Sequence, residues 1–507
     1  MNYTNSFLSS SIMALVPSVL TFCAPGSSVS TEKAEGGIQK DTRPNILFIV
    51  SEDNGPELGC YGAPVKTPNL DKLASEGIMF KYAYVTQAGS SPSRASFLTG
   101  LYPHQNGQIG LSTSYYSMYR EDTPNMINTL KEAGYRTGMI GKVHVLPESA
   151  FDLDWWENTG GNFKRKNLAN YAVEAAKFFT ESDQPVYLQM NYPDAHVPFL
   201  PQVDGHPAYP LKASDVEPLP YFGVTSDSLK QQTADYYNCI MRLDDWIGDL
   251  FDKLKETGKL GNTVIIYIGD HGADMLRGKR TVYEGGLRIP LIISSPGAVK
   301  NSVYDGLVST IDIYPTVLSV IGIQVPSYLP GKSLLPVLNG STDPIRKFLF
   351  AEYNVQSNDN PYPQRSVRNK RFKLIYNPIA GNENPGFYYT VGKKISRSDL
   401  ESALTNAPKE VQDAYEMMKN PPEYEFYDLK NDPYEWNNLA NDPEYKKAFE
   451  NLKNQLLNWQ KATSDPFIDK DVAKKFYLDV LGANKKKMEI KYHDYMDPHL
   501  VFEKGEK

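Results

Sequence analysis

Four stretches of this chain place acids, imidazoles and amines directly after an apolar run. Ser51-Glu52-Asp53-Asn54-Gly55 follows Ile46-Leu47-Phe48-Ile49-Val50. Lys142-Val143-His144 follows Thr137-Gly138-Met139-Ile140-Gly141, and Asp194-Ala195-His196 comes shortly after Val186-Tyr187-Leu188-Gln189-Met190. Asp270-His271-Gly272 follows Val264-Ile265-Ile266-Tyr267-Ile268-Gly269. Carboxylates such as these are hard oxygen ligands of the kind a hard cation takes. An unperturbed imidazole titrates near pH ~6.5, which suits proton transfer. Two further stretches do not follow a strand. Ser90-Ser91-Pro92-Ser93-Arg94-Ala95-Ser96-Phe97-Leu98-Thr99-Gly100 leads into a helix, and Gly278-Lys279-Arg280-Thr281-Val282-Tyr283-Glu284-Gly285-Gly286 fills a loop between two strands. Each stretch alone has a plainer reading: an acidic surface turn, a structural histidine, a solvated Lys or Arg, or a capped helix start at Ser-x-Pro-Ser-Arg. Only seven His occur in the chain, and His144, His196 and His271 all fall in these stretches, so chance is a poor explanation of the set.

The elements around these residues alternate. Apolar runs at 46–50, 137–141, 186–190, 264–269 and 291–294 read as strands buried on both faces of a mostly parallel sheet. Helices start at Thr67-Pro68 and near Asn125, and a long amphipathic helix runs from about Ser228 to Thr257. The prediction is an α/β protein, a large sheet sandwiched by helices. In such sheets ligands gather at the carboxyl ends of strands, where most of the polar stretches sit. After about residue 345 the pattern changes to antiparallel strands at 348–353, 372–376 and 424–429 and a helix over roughly 443–463. The expected division is a leader over 1–30, a spacer over 31–42, a catalytic domain over 43–345 and an α+β subdomain over 346–507.

A chain of 507 residues with 41% hydrophobic and 22% charged residues is long enough for a large core. The net charge of -7 gives no support to nucleic-acid or anionic-membrane binding. The apolar stretch Ile12–Phe22 is too short to span a membrane and has the length of a signal core, so an exported, periplasmic protein is expected. Leu20-Thr21-Phe22-Cys23 offers an alternative lipid anchor at Cys23. Nothing else is apolar enough for a transmembrane segment. Cys60 and Cys239 are expected to be free, buried thiols.

The Ser90 run resembles the signature of the type I sulfatases, (Cys or Ser)-x-Pro-Ser-Arg-x-x-x-Leu-Thr-Gly, and fills every fixed position. The resemblance extends from about Arg43 to Thr463. It implies an alkaline-phosphatase-like fold, a formylglycine (3-oxoalanine) made from Ser90 by a maturase that accepts serine, and one Ca2+ ion. A plain serine hydroxyl is a poor nucleophile near neutral pH; the hydrated aldehyde is the family's nucleophile. By the same resemblance the metal ligands are Glu52, Asp53, Ser90, Asp270 and His271. Two of these depart from the usual pattern: Glu52 stands where the family has Asp, and His271 where Asn is commoner. The resemblance further implies that Arg94 holds the nucleophile, that Lys142 and Lys279 bind sulfate, that His144 removes the second diol proton, and that His196 protonates the leaving group.

The stretches Ser96–Gly107 and Gly141–Glu148 look closest to the N-sulfoglucosamine sulfohydrolase branch, whereas Lys279 with Tyr283-Glu284-Gly285-Gly286 is the generic O-sulfatase form. The implied substrate is a sulfated saccharide of glycosaminoglycan type, with N- and O-sulfate both open. His104, Gln105 and Asn106 are candidate substrate-pocket residues, or equally an internally bonded loop. The competing readings are a phosphate or phosphonate ester hydrolase of the same superfamily, and a non-catalytic glycan-binding relative in which Ser90 stays unmodified.

Overall fold

Strand β1 (Asn45–Ser51) shows how the chain is built: all seven residues are buried, and alternate side chains enter two different cores. Ile46, Phe48 and Val50 join one, Leu47 and Ile49 the other, as the two-residue period of a strand demands. Each of these side chains contributes about 1.5–3 kcal/mol on burial. A computed structural model gives this architecture and describes residues 42–486. The leader, the Cys23 alternative and all but the last residue of the spacer lie outside the described residues.

Among the described residues, nine strands form the large sheet: β1, β2 (Ile78–Tyr84), β3 (Arg136–Ile140), β4 (Trp155–Glu157), β5 (Val186–Tyr192), β6 (Thr263–Gly269), β7 (Arg288–Ile289), β8 (Leu291–Ser294) and β9 (Ser302–Ser309). Their order is β4-β3-β5-β1-β6-β8-β2-β7, with β9 pairing β2. The run β4-β3-β5-β1-β6 is parallel throughout; β8 runs antiparallel to both β6 and β2. Helices cover both faces. Asp227–Glu256 and Ala169–Thr180 bury residues in the core that holds Leu47, while Ser90–Thr99 and Ile313–Val320 bury theirs in the core that holds Phe48.

A second sheet, β10 (Leu349–Tyr353), β11 (Gln364–Arg368), β12 (Phe372–Tyr376) and β13 (Tyr424–Asp428), is antiparallel in sequence order. Val367, Leu374 and Phe426 pack on Leu452, Leu456 and Trp459 of the helix Lys446–Ala462. The mixed, mostly parallel sheet between helices and the antiparallel sheet toward the C-terminus agree with the expected fold class. Cys60 and Cys239 are free, and burial foremost pushes both thiols up to about 12. No described helix is long and apolar enough to cross a membrane.

Candidate active site

Strands β3, β5, β1 and β6 are neighbours and parallel, so the loops leaving them emerge at one edge of the sheet. Glu52 and Asp53 leave β1, Lys142 and His144 leave β3, His196 follows β5, and Asp270 and His271 leave β6. The Asp53 amide donates to Asp270 Oδ1 at 2.9 Å, which ties the central two loops together. Asp53 and His144 hold left-handed backbone (φ 45° and 59°), a conformation that costs a non-glycine residue about 1 kcal/mol or more.

The helix Ser90–Thr99 starts at Ser90 itself, and all ten of its residues are buried. The positive end of its dipole therefore lies at Ser90, as an anion site requires. Gly100 ends the helix at φ 71°, where a Cβ would stand 2.8 Å from Leu329 Cδ2. That crowding, together with the left-handed turn, explains why Leu-Thr-Gly closes the run.

Around Ser90 three acids meet three cations. Arg94 Nη2 lies 2.5 Å from Glu52 Oε1, and Arg94 Nε lies 3.3 Å from Asp270 Oδ2. Lys142 Nζ is 2.8 Å from Glu52 Oε2, and Lys279 Nζ is 2.9 Å from Asp53 Oδ1. Burial alone would raise the Glu52 carboxyl, but Lys142 and Arg94 outweigh it and hold it down at about 2. For Asp53, burial is likewise outweighed, by Lys279 first, and the carboxyl stays below the usual range. Burial opposes ionisation of Asp270 too, and His271 and Arg94 pull it down. Burial would lower Lys279, yet Asp53 and Asp274 raise it.

His271 Nδ1 donates to the Gly272 carbonyl at 2.8 Å, which leaves Nε2 facing Ser90 Oγ at 3.2 Å and Asp53 Oδ1 at 3.2 Å. Asp53, Asp270 and His271 offer ligand atoms within 4.8 Å of one another, and so do Glu52, Asp53 and His196. Asp53 Oδ2 is buried without a hydrogen-bond partner among the described residues. Such an orphaned carboxylate oxygen fits a hard cation. Glu52 is the ligand candidate most occupied otherwise, since Arg94 and Lys142 flank its two oxygens.

Two half-buried imidazoles border this cluster. Burial, with Lys142 adding to it, pushes His144 well below its ordinary value, and burial lowers His196 as well, so both rings are neutral in the free site. The His196 ring stacks on Phe163 with centroids 4.0 Å apart, and its Nδ1 donates to the Val197 carbonyl at 2.6 Å. Phe163 also lies under Lys142 Nζ at 4.8 Å. Next to His196, buried Asp194 is clamped by Arg165 Nε at 2.8 Å and by Arg242 Nε at 2.8 Å and Nη2 at 2.7 Å, while Arg165 also holds the His196 carbonyl.

The sequence reading missed Phe163, Arg165, Arg242 and Asn191, which accepts from Arg94 Nη1 at 2.7 Å. Phe163 and Arg165 lie in an irregular loop without a motif, and Arg242 is one of many polar residues on a long helix. The structure does not bring His104, Gln105 and Asn106 to the cluster as a pocket wall. His104 is fully buried, bonded to Glu352 through both its amide and Nδ1, and packed against Tyr102 and Trp459. Gln105 accepts from the Tyr102 amide at 3.1 Å, and Asn106 accepts from the Gln108 amide at 2.9 Å. The internally bonded loop describes them, because their polar groups are spent on neighbouring chain.

Comparison with known proteins follows the same outline. The family model described as Sulfatase matches residues 44–323, and a second, N-sulphoglucosamine sulphohydrolase, C-terminal, matches residues 269–384. N-sulphoglucosamine sulphohydrolase of Homo sapiens is 30% identical over 464 residues, covering 84% of this chain and 91% of its own length. An ulvan-active sulfatase of Formosa agariphila is 31% identical over 446 residues, covering 83% and 81%. A solved structure described as a complex with its substrate D-glucosamine-2-N,6-O-disulfate superposes with a TM-score of 0.64 at 23% identity, over 83% of this chain and 98% of that one; at this identity the likeness speaks for the fold.

Proposed function

We propose a reaction and a substrate class for this chain, which belongs to the sulfatase family and is a sulfuric ester hydrolase. It removes sulfate, N- or O-linked, from a sugar of glycosaminoglycan type, with residue 90 as the point of attack. The match of the C-terminal N-sulphoglucosamine model makes N-sulfated glucosamine the first substrate to try. The observation that carries the reading is the placement of Ser90 Oγ, at a buried helix N-terminus, within a cluster of Arg94, Lys142 and Lys279. These are fixed positive charges where a sulfate must lodge.

Oxidised to formylglycine, residue 90 supplies a hydrated aldehyde, one hydroxyl of which attacks sulfur. Asp53, Asp270 and His271, with Glu52 and residue 90, are the residues that would hold a calcium ion, whose charge favours ionisation of that hydroxyl. The formal charges fit. Three carboxylates balance three cations in the cluster. A dication adds two positive charges, which the sulfate ester anion and one ionised hydroxyl then balance.

Lys142 and Lys279 bind the sulfate oxygens, and Arg94 bridges the acids that surround residue 90. His196, fixed by Phe163 and its Nδ1 bond, gives a proton to the leaving oxygen or nitrogen. It is neutral in the free site, and the arriving anion favours its protonation. His144, also neutral, is ready to accept a proton from the residue 90 hydroxyl when sulfate is expelled. The proposal includes export, which the Ile12–Phe22 segment supports, and a maturase that accepts serine.

The test is the mass of the peptide holding Ser90, from protein made in its own host or beside a serine-competent maturase, paired with sulfate-release and phosphate-release assays. A loss of two hydrogens with sulfate release supports the reading. An unmodified serine in protein from its own host removes it, and preferential phosphate release moves the chain to the ester-hydrolase alternative.

A further inference from the structure

Away from the catalytic cluster the fold contains a cavity of about 730 Å³. That is a volume typical of small-molecule sites. It lies between the segment after β1, the β2–β7 edge of the large sheet, and the turns of the C-terminal sheet. None of Ser90, Arg94, Lys142, His144, His196 or Lys279 lines it. The two sites back onto each other through close backbone packing: a Cβ on Gly272 would stand 1.9 Å from the carbonyl oxygen of Gly285, which lines the cavity.

Its lining has the chemistry of a sugar site. Five tyrosines, among them Tyr82, Tyr221 and Tyr434, offer ring faces with polar tips. Of its five lining cations, Arg368 pairs with Glu284 at 2.7 Å, Arg371 with Asp428 at 2.7 Å and Lys370 with Asp305, while Arg288 and Lys430 face Glu57 without an ion pair among the described residues. The cavity therefore carries a small surplus of positive charge on an acidic protein. In its walls Tyr221 Oη and Arg288 Nε are both buried without a partner among the described residues. Tyr221 is only 8% exposed, so its hydroxyl is costly to leave unbonded. Glu57 accepts from the Tyr236 hydroxyl at 3.0 Å, and burial foremost pushes its carboxyl up to about 7. Near neutrality it can both donate to and accept from a sugar hydroxyl.

We propose that this cavity is a second saccharide-binding site, holding an anionic sugar unit of the same polymer whose sulfate the active site removes. The choice of ligand rests on the proposed sulfatase reaction on a glycosaminoglycan-type chain. A simple inorganic anion would not need the tyrosine lining, and an apolar peptide would not need the cations.

The test is calorimetric titration of the full chain with a heparin-derived octasaccharide, beside a neutral dextran oligomer and polyglutamate. Lys370 and Lys430 are exposed, and among the described residues Lys370 pairs with exposed Asp305, so the double variant K370E/K430E is expected to keep the fold. It is expected to weaken octasaccharide binding at least about fivefold, and Y221F about threefold, with monosaccharide sulfate release unchanged. An octasaccharide Kd unchanged in both variants, no octasaccharide binding at all, or equal binding of polyglutamate overturns the proposal. Binding that responds to these variants in a chain releasing no sulfate sinks the proposed reaction and leaves the site. Sulfate release with an unresponsive Kd does the reverse.

Discussion

Glu57→Gln should stabilise the protein by an amount that grows with pH. Glu57 is half-buried, and burial outweighs its bond from Tyr236, raising the carboxyl from an ordinary 4.5 to about 7. The folded chain therefore keeps a proton that the unfolded chain releases. Between about 4.5 and about 7 the folded state binds more protons, so stability falls as pH rises through that window and stays reduced above it. A shift of this size corresponds to at most about 3 kcal/mol, and partial exposure brings it nearer 1–2 kcal/mol. Glutamine keeps the shape and an acceptor for the Tyr236 hydroxyl but has no charge to desolvate. Thermal unfolding of both proteins at pH 4.5, 6 and 8.5 measures it. The midpoints should nearly coincide at the lowest pH and separate in the variant's favour at the highest. A gap of equal size at all three values would refute the reasoning, since a neutral packing change has no pH dependence.

Removing the base from the residue 90 hydroxyl, as in His144→Ala, is expected to cut kcat by about 10²–10⁴ with little change in KM, read by sulfate release; an unaltered kcat assigns the base elsewhere. Asp53→Asn takes away one carboxylate of the cluster and is expected to lower bound calcium in elemental analysis of purified protein, while equal content in both proteins removes Asp53 from the ligand set. Asp194→Asn leaves Arg165 and Arg242 buried without their full counter-charge, at a cost of about 3–5 kcal/mol, and loosens the His196 loop. Urea unfolding and the pH profile of kcat together check it, and a variant with unchanged denaturation midpoint contradicts the clamp.

The strands that carry the chemistry were readable because they are buried on both faces: β1, β3, β5, β6 and β8 all announce themselves as apolar runs. Strand β11 does not. Its sequence, Gln364-Arg365-Ser366-Val367-Arg368, is polar, yet every residue is buried. Arg365 is neutralised by Asp465 through bonds of 2.7 and 2.6 Å, and Gln364 donates to Asn377 at 2.7 Å. Partners 13 and 100 residues away in the chain decide such a strand, and periodicity cannot see them. At Thr67 the helix start was legible, but the Thr67 hydroxyl donates to Asp71 and accepts from the Gly59 amide rather than capping the helix, bracing the preceding loop. In the site, the residues that bear charge sat in motifs, while those that aim them, Phe163 and the Arg165–Asp194–Arg242 clamp, did not. Aiming depends on where a loop passes, and loops leave no pattern.

The pairing of β1 with β6 has a consequence in time. Ser51 and Thr263 bound a stretch of more than two hundred residues, yet their strands lie side by side at the centre of the site. At about 5–20 residues per second a ribosome needs roughly 10–40 s to supply the second strand after the first. For that interval β1 can borrow β5, which is made earlier, but one flank of its ladder and the acids at its tip wait without their Asp270 counterpart. The centre of the site is thus expected to assemble only when β6 arrives about halfway through synthesis, with β7, β8 and β9 of the same sheet still to come.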